Sequence, residues 1–115
     1  MILPIKKKWY DMILSGKNKE EYREIKPYYI VRFMKMLGYK NINKHSAFIF
    51  VGDAEDHKGD FNHFPPISVT FRNGYSNSSP SFTAKCKIAI NEGKPEWGAE
   101  KGTSYFVLRI DELIN

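Results

Sequence analysis

The sequence predicts an α+β domain in which two N-terminal helices flank a curled or closed, mostly antiparallel β-barrel. Three observations carry that expectation. Apolar residues recur at helical spacing before Lys44 and at strand spacing after it. The later strand-like runs follow one another without helices between them, which favours antiparallel neighbours over a doubly wound parallel sheet. Finally, 115 residues that are 42% hydrophobic and 15% aromatic suffice for one packed core and leave no room for another, so residues 1–115 read as one domain.

Taken in order, Ile2 to Ile5 is a short apolar stretch that reads as a strand. From Lys8 to Ser15, Trp9, Met12 and Ile13 fall at spacings of three and four, an amphipathic helix, with Gly16 where a left-handed terminating residue belongs. Lys19 to Lys26 interleaves charge with Tyr22 and Ile25 and reads as an edge or cleft-lining strand. Pro27 suits the first turn of a second helix, whose buried stripe is Ile30, Phe33, Met34 and Leu37 and which Gly38 ends. Ala47 to Val51 reads as a strand buried on both faces, and Gly52 to Pro66 as the longest loop. Ile67, Val69 and Phe71 alternate with polar residues, a half-buried strand. Asn73-Gly74 suits a tight hairpin if Tyr75 pairs back, although Ser76 to Ser81 looks more like a longer polar loop. Phe82, Ala84, Cys86, Ile88 and Ile90 give the clearest alternation in the chain, and Tyr105 to Ile110 closes the set.

Charge and cysteine content narrow the partners. The net charge of +5 is divided unevenly, with +7 in residues 1–44 and −2 in the remainder, so nucleic acid is the first candidate partner. The single cysteine, Cys86, excludes an internal disulfide framework and favours a reducing cytoplasm; its parity places it in the core rather than in a nucleophilic role. No apolar run approaches the roughly 20 residues that span a bilayer, and Met1 to Lys8 has its apolar residues before its lysines, the reverse of a secretory signal. A soluble, cytoplasmic domain with no membrane partner is expected.

The chemistry concentrates between Gly16 and Lys26. The turn after the first helix presents Lys17, Asn18 and Lys19, and the strand that follows puts Glu21 and Arg23 on one face with Glu20 and Tyr22 on the other. Glu21 and Arg23 can pair, offering a phosphate or base edge a fixed guanidinium beside one carboxylate. Lys7 and Lys26 flank these elements, and Trp97, in the turn-rich Gly93 to Gly98, stands where a loop carries it to a cleft mouth. Arg23 is expected to point into that cleft, partly exposed, and to contribute little to stability. Asp53, Glu55, Asp56, His57, Asp60 and His63 cluster, but their spacing fits neither a zinc template nor an EF-hand loop, so they read as a solvated loop and no metal is expected. His45 reads as a surface residue, and no phosphate loop or Gly-x-Ser-x-Gly element is present.

The stretch Ile13-Leu14-Ser15-Gly16-Lys17-Asn18-Lys19-Glu20-Glu21-Tyr22-Arg23 resembles the defining motif of the ASCH domain family of the PUA-like superfamily. Leu3-Pro4-Ile5, Trp9-Tyr10 and Trp97-Gly98 look like a small bacterial or phage subgroup of it. Gly16, Glu21 and Arg23 occupy their motif places, while Asn18 stands where the family has lysine. The resemblance implies a PUA-like barrel with flanking helices and, in some small members, amidohydrolase activity on N4-acetylcytidine that uses the motif lysine and a hydroxyl residue at the place of Glu21. An amide cannot do the work of a desolvated lysine. The leading expectation is therefore a non-catalytic module that binds RNA or a modified nucleotide through Lys7, Asn18, Lys19, Glu21, Arg23, Lys26 and Trp97, without a cofactor. The alternatives are a small hydrolase using Lys17 or Lys19 with Glu21, and a transcription-linked interaction adaptor.

Overall fold

The computed structural model describes residues 1–114. Five strands form one curled, half-barrel sheet: β1 (Ile2–Ile5), β2 (Glu20–Arg23), β3 (Ile67–Asn73), β4 (Ser81–Glu92) and β5 (Ser104–Leu113). Their order is β1-β3-β4-β5-β2, so the two short N-terminal strands are the two edges. β1 runs parallel to β3, and the other three pairings are antiparallel, which makes the sheet mixed. The alternation read in β3 and β4 sends Val69, Phe71, Phe82, Ala84, Cys86 and Ile88 into the core. Burial also pushes the Cys86 thiol up to about 12, which keeps it protonated and inert.

Helix α1 (Lys7–Leu14) ends as its sequence suggests: Gly16 takes φ +81° and its N–H donates to the Ile13 carbonyl at 3.1 Å. Helix α2 (Pro27–Met36) has Pro27 in its first turn and buries Phe33 and Met34 fully. The connection from β3 to β4 is the longer polar loop, closed by the Asn73 N–H donating to the Pro80 carbonyl at 2.9 Å.

Two expectations fail together. Ala47 to Val51 is not a strand and Gly52 to Pro66 is not all loop, because Lys44–Asp56 forms a third helix, α3. The described residues therefore form three α-helices rather than two. A capping box starts α3: the Asn43 side chain accepts from the Ser46 N–H, and the Ser46 hydroxyl accepts from the Asn43 N–H. Within the apolar run only Phe50 is fully buried, joined one turn later by Ala54, whereas Phe48 and Ile49 face outward. A helical stripe had the look of a buried strand because its partner, Ala54, lies among acidic residues.

The core is aromatic at its centre. The Phe106 ring of β5 lies 5.1 Å from that of Phe33 on α2 and 6.0 Å from that of Phe50 on α3, centroid to centroid. Both helices thus meet the sheet at the Phe106 side chain. Among the described residues no helix is long and apolar enough to cross a membrane.

Candidate functional site

The sheet is curled so that its two edges, β1 and β2, face each other, and Arg23 spans the gap. From β2 its Nη2 donates to the Pro4 carbonyl of β1 and to Glu21 Oε2, both at 3.1 Å, while Nη1 donates to the Tyr29 hydroxyl of α2 at 3.1 Å. One guanidinium thus ties three elements at the seam. Its Nε is buried and has no partner among the described residues.

Period-two alternation places the rest. Glu21 shares the Arg23 face, and its Oε1 accepts from the Tyr22 N–H at 3.1 Å. Burial raises the Glu21 carboxyl above its ordinary range, and the attraction of Arg23 only partly opposes this. On the other face, Glu20 accepts from Arg109 Nε and Nη2 of β5 at 3.2 and 3.1 Å, and from the Tyr22 hydroxyl at 2.7 Å. That hydroxyl also accepts from the Lys94 N–H at 3.0 Å, which fastens the Trp97 loop to β2. Burial pushes the Tyr22 phenol well above its usual range, so it stays a donor.

Gly93 permits this anchoring by close approach. A Cβ there would stand 2.6 Å from the Ala99 Cβ and 2.7 Å from the Tyr22 ring. Gly93→Ala is expected to cost about 1–3 kcal/mol by overpacking, measured as a shift of the urea midpoint at unchanged slope. A neutral result would mean that the Tyr22 ring moves freely and does not hold the loop.

The seam opens into a cleft of about 580 Å³. It brings together Lys7, Glu21, Arg23, Lys26 and Trp97, five of the residues singled out from the sequence. Trp9, Tyr29 and Tyr75 line it as well. The aromatic rims are cationic: Lys8 Nζ lies 4.7 Å from the Trp9 ring centre, Lys94 Nζ 4.4 Å from that of Trp97, and Lys26 Nζ 5.5 Å from that of Tyr29. Through Arg23, Lys26 and Tyr75 the cleft continues into a shallower groove that adds Tyr28, Arg32 and Arg72 and has no acidic residue in its lining. Arg32 lies 4.0 Å over the Tyr28 ring.

The Gly16 turn does not join them. Lys17 and Lys19 are exposed and do not line the cleft. Asn18 is buried, and its Oδ1 accepts from the Glu20 N–H at 2.9 Å, so the side chain shapes the entry to β2. Arg23 is also less exposed than its sequence context suggests, with a side chain only 16% exposed beside a Glu21 side chain at 10%. It carries stability as well as the site, because its charge sits in a hydrogen-bonded pair away from most solvent. Sequence reasoning missed Trp9, Tyr75, Arg32 and Arg72 as neighbours of the site. They come from α1, the β3–β4 loop, α2 and β3, and no local pattern signals that the curl of the sheet brings those elements to one seam.

Chemically, the cleft offers a fixed guanidinium, flanking ammonium groups, stackable rings, the buried Glu21 carboxyl and the exposed carboxylates of Glu24 and Glu100. Comparison with protein-family models, with curated proteins and with solved structures finds no match to this chain, so the reading of the cleft rests on these groups.

Proposed function

We propose that this chain is an ASCH-type binding module, cytoplasmic and non-catalytic, whose seam cleft takes a nucleotide-like ligand, either free or within single-stranded RNA. The observation that carries the reading is Arg23, held by Pro4, Tyr29 and Glu21 between lysines and rings. A preset guanidinium recognises phosphate or a base edge, and aromatic rings add sequence-tolerant stacking. The single buried thiol suits a reducing compartment. The hydrolase alternative has less support, since Lys17 and Lys19 stand outside the cleft lining and the hydrogen-bond partners of Glu21 are Arg23 and the Tyr22 N–H.

The test is equilibrium binding of labelled short RNAs and of nucleoside monophosphates at two salt concentrations. Affinity should fall as salt rises, with a log–log slope of about −0.7 per phosphate engaged on a single strand. Trp97→Ala should weaken binding by about 1–3 kcal/mol if the ring stacks on a base. Arg23→Lys should weaken it by about 10-fold, because an ammonium cannot replace the planar fork. Salt-independent binding, or full affinity in Arg23→Lys, would overturn the reading. Release of cytidine from N4-acetylcytidine by the wild type would replace it with the hydrolase.

A further inference from the structure

Away from the cleft, the end of α3 and the segment after it gather three metal-ligating side chains. Asp53 and His57 lie one turn apart, at i and i+4, on one side of the helix end. The chain then doubles back, with the Asp60 N–H donating to the His57 carbonyl at 2.9 Å, and lays the His63 ring flat on that of His57. The two centroids are 3.6 Å apart and the planes differ by 7°. His63 Nε2 is 2.7 Å from Asp53 Oδ2, and His57 Nδ1 is 3.3 Å from Asp53 Oδ1. One ligand atom from each residue lies within 4.8 Å of the other two.

The fold holds this segment from both sides. Phe61 is buried against Ala89 and Val107, and the Gly59 N–H donates to the Ile90 carbonyl of β4 at 2.9 Å. Phe64 packs on Phe50 with centroids 5.5 Å apart and meets the His63 ring edge-on at 4.7 Å. His63 is therefore fixed between two anchored aromatics, the kind of support that presets a binding site.

We propose that Asp53, His57 and His63 form a three-ligand site for a first-row transition-metal dication, Zn²⁺ foremost, with a further position open to water. Two imidazole nitrogens and one carboxylate suit Zn²⁺, Co²⁺ or Ni²⁺, whereas Mg²⁺ and Ca²⁺ prefer oxygen alone. Ligands about 2.1 Å from a tetrahedral ion are about 3.4 Å from one another, close to the 3.3 Å between His57 and Asp53, while the 2.7 Å between His63 and Asp53 opens to admit the ion. The rings reach that geometry when one imidazole tilts out of the stack at the partly exposed edge. The bound ion clamps the end of α3 to the segment that leads into β3. None of the three ligands lines the seam cleft, so the site stands apart from the nucleotide reading.

The test uses the full chain, stripped with a chelator and titrated with Zn²⁺ and, separately, Co²⁺. Calorimetry should give a single equivalent, and Co²⁺ should develop a visible ligand-field band. Saturating Zn²⁺ should raise the unfolding midpoint by several degrees, because the ion binds only the folded arrangement, while Mg²⁺ leaves it unchanged. His63→Ala and Asp53→Asn should each weaken binding by at least about 100-fold, more than the loss of an outer partner costs. His45→Ala should bind as the wild type does. Asp53→Asn keeps the shape of the side chain, so it decides the matter where an alanine variant fails to fold. Absence of one-equivalent binding, binding retained in Asp53→Asn or in His57→Ala/His63→Ala, or an equal response to Mg²⁺ would overturn the proposal.

Discussion

Phe106→Ala is expected to be the most damaging core substitution at a single position, costing about 3–5 kcal/mol. The ring is buried, lies opposite Ile90 and Arg23 in the ladders of β4 and β2, and is the shared contact of Phe33 and Phe50. Removing it leaves a cavity between two helices and the sheet. Collapse is limited, because each helix is held elsewhere: α2 by the Tyr29–Arg23 hydrogen bond, and α3 by the Tyr39 and Phe64 rings around Phe50. For a chain of this length the unfolding midpoint should drop by on the order of 10–20 °C. Phe48→Ala, on the same α3 but 79% exposed, should stay within about 0.5 kcal/mol. Denaturant and thermal unfolding followed by circular dichroism measure both. A loss below about 1 kcal/mol at Phe106 would mean that the two helices do not depend on it.

What was legible in the sequence is what local periodicity and terminators encode. β4 alternates over nearly its whole length, Gly16 and Gly38 end helices with positive φ, and Pro27 opens one. The pairing of Glu21 with Arg23 follows from a period of two, and it is present at 3.1 Å. α3 was not legible, because five apolar residues followed by a polar stretch fit a buried strand and a loop as well as a helix. The sign that separates the readings is the Asn43/Ser46 capping box. The same reading hid the proximity of Asp53 and His57, which have no fixed relation in a loop and lie one turn apart at the end of a helix. The parallel pairing of β1 with β3 was also out of reach, since Ile2 and Thr70 meet only through the global path of the chain. So were the partners of Arg23 across the seam, the Pro4 carbonyl and the Tyr29 hydroxyl. Asn18 shows the converse limit, a polar side chain in a charged turn that is nonetheless buried.

Arg23→Met should destabilise the chain far more at alkaline than at acid pH, with Glu21 as the cause. The Glu21 carboxyl is raised from its ordinary value of 4.5, chiefly by burial, with Arg23 the main opposing influence. Between the unfolded value and the raised folded value, the native chain holds a proton that the unfolded chain has released. Stability therefore falls as pH rises through that window, and the penalty is complete above it. Deleting the guanidinium removes the main opposing influence, so the folded value climbs and the window extends upward. Near pH 4, below the window, Arg23→Met loses chiefly its hydrogen bonds to Tyr29 and Pro4, about 1–2 kcal/mol in all. Near pH 8 it also strands a buried carboxylate, and the total should reach about 3–5 kcal/mol. Other groups titrate over the same range, so the decisive quantity is the difference between Arg23→Met and Arg23→Met/Glu21→Gln. The double variant has no carboxyl to strand, and its advantage over the single one should grow steadily from pH 4 to pH 8. A difference that stays constant over that range would show that Glu21 ionises freely in the folded chain, and that Arg23 holds the seam of the sheet through Pro4 and Tyr29 alone.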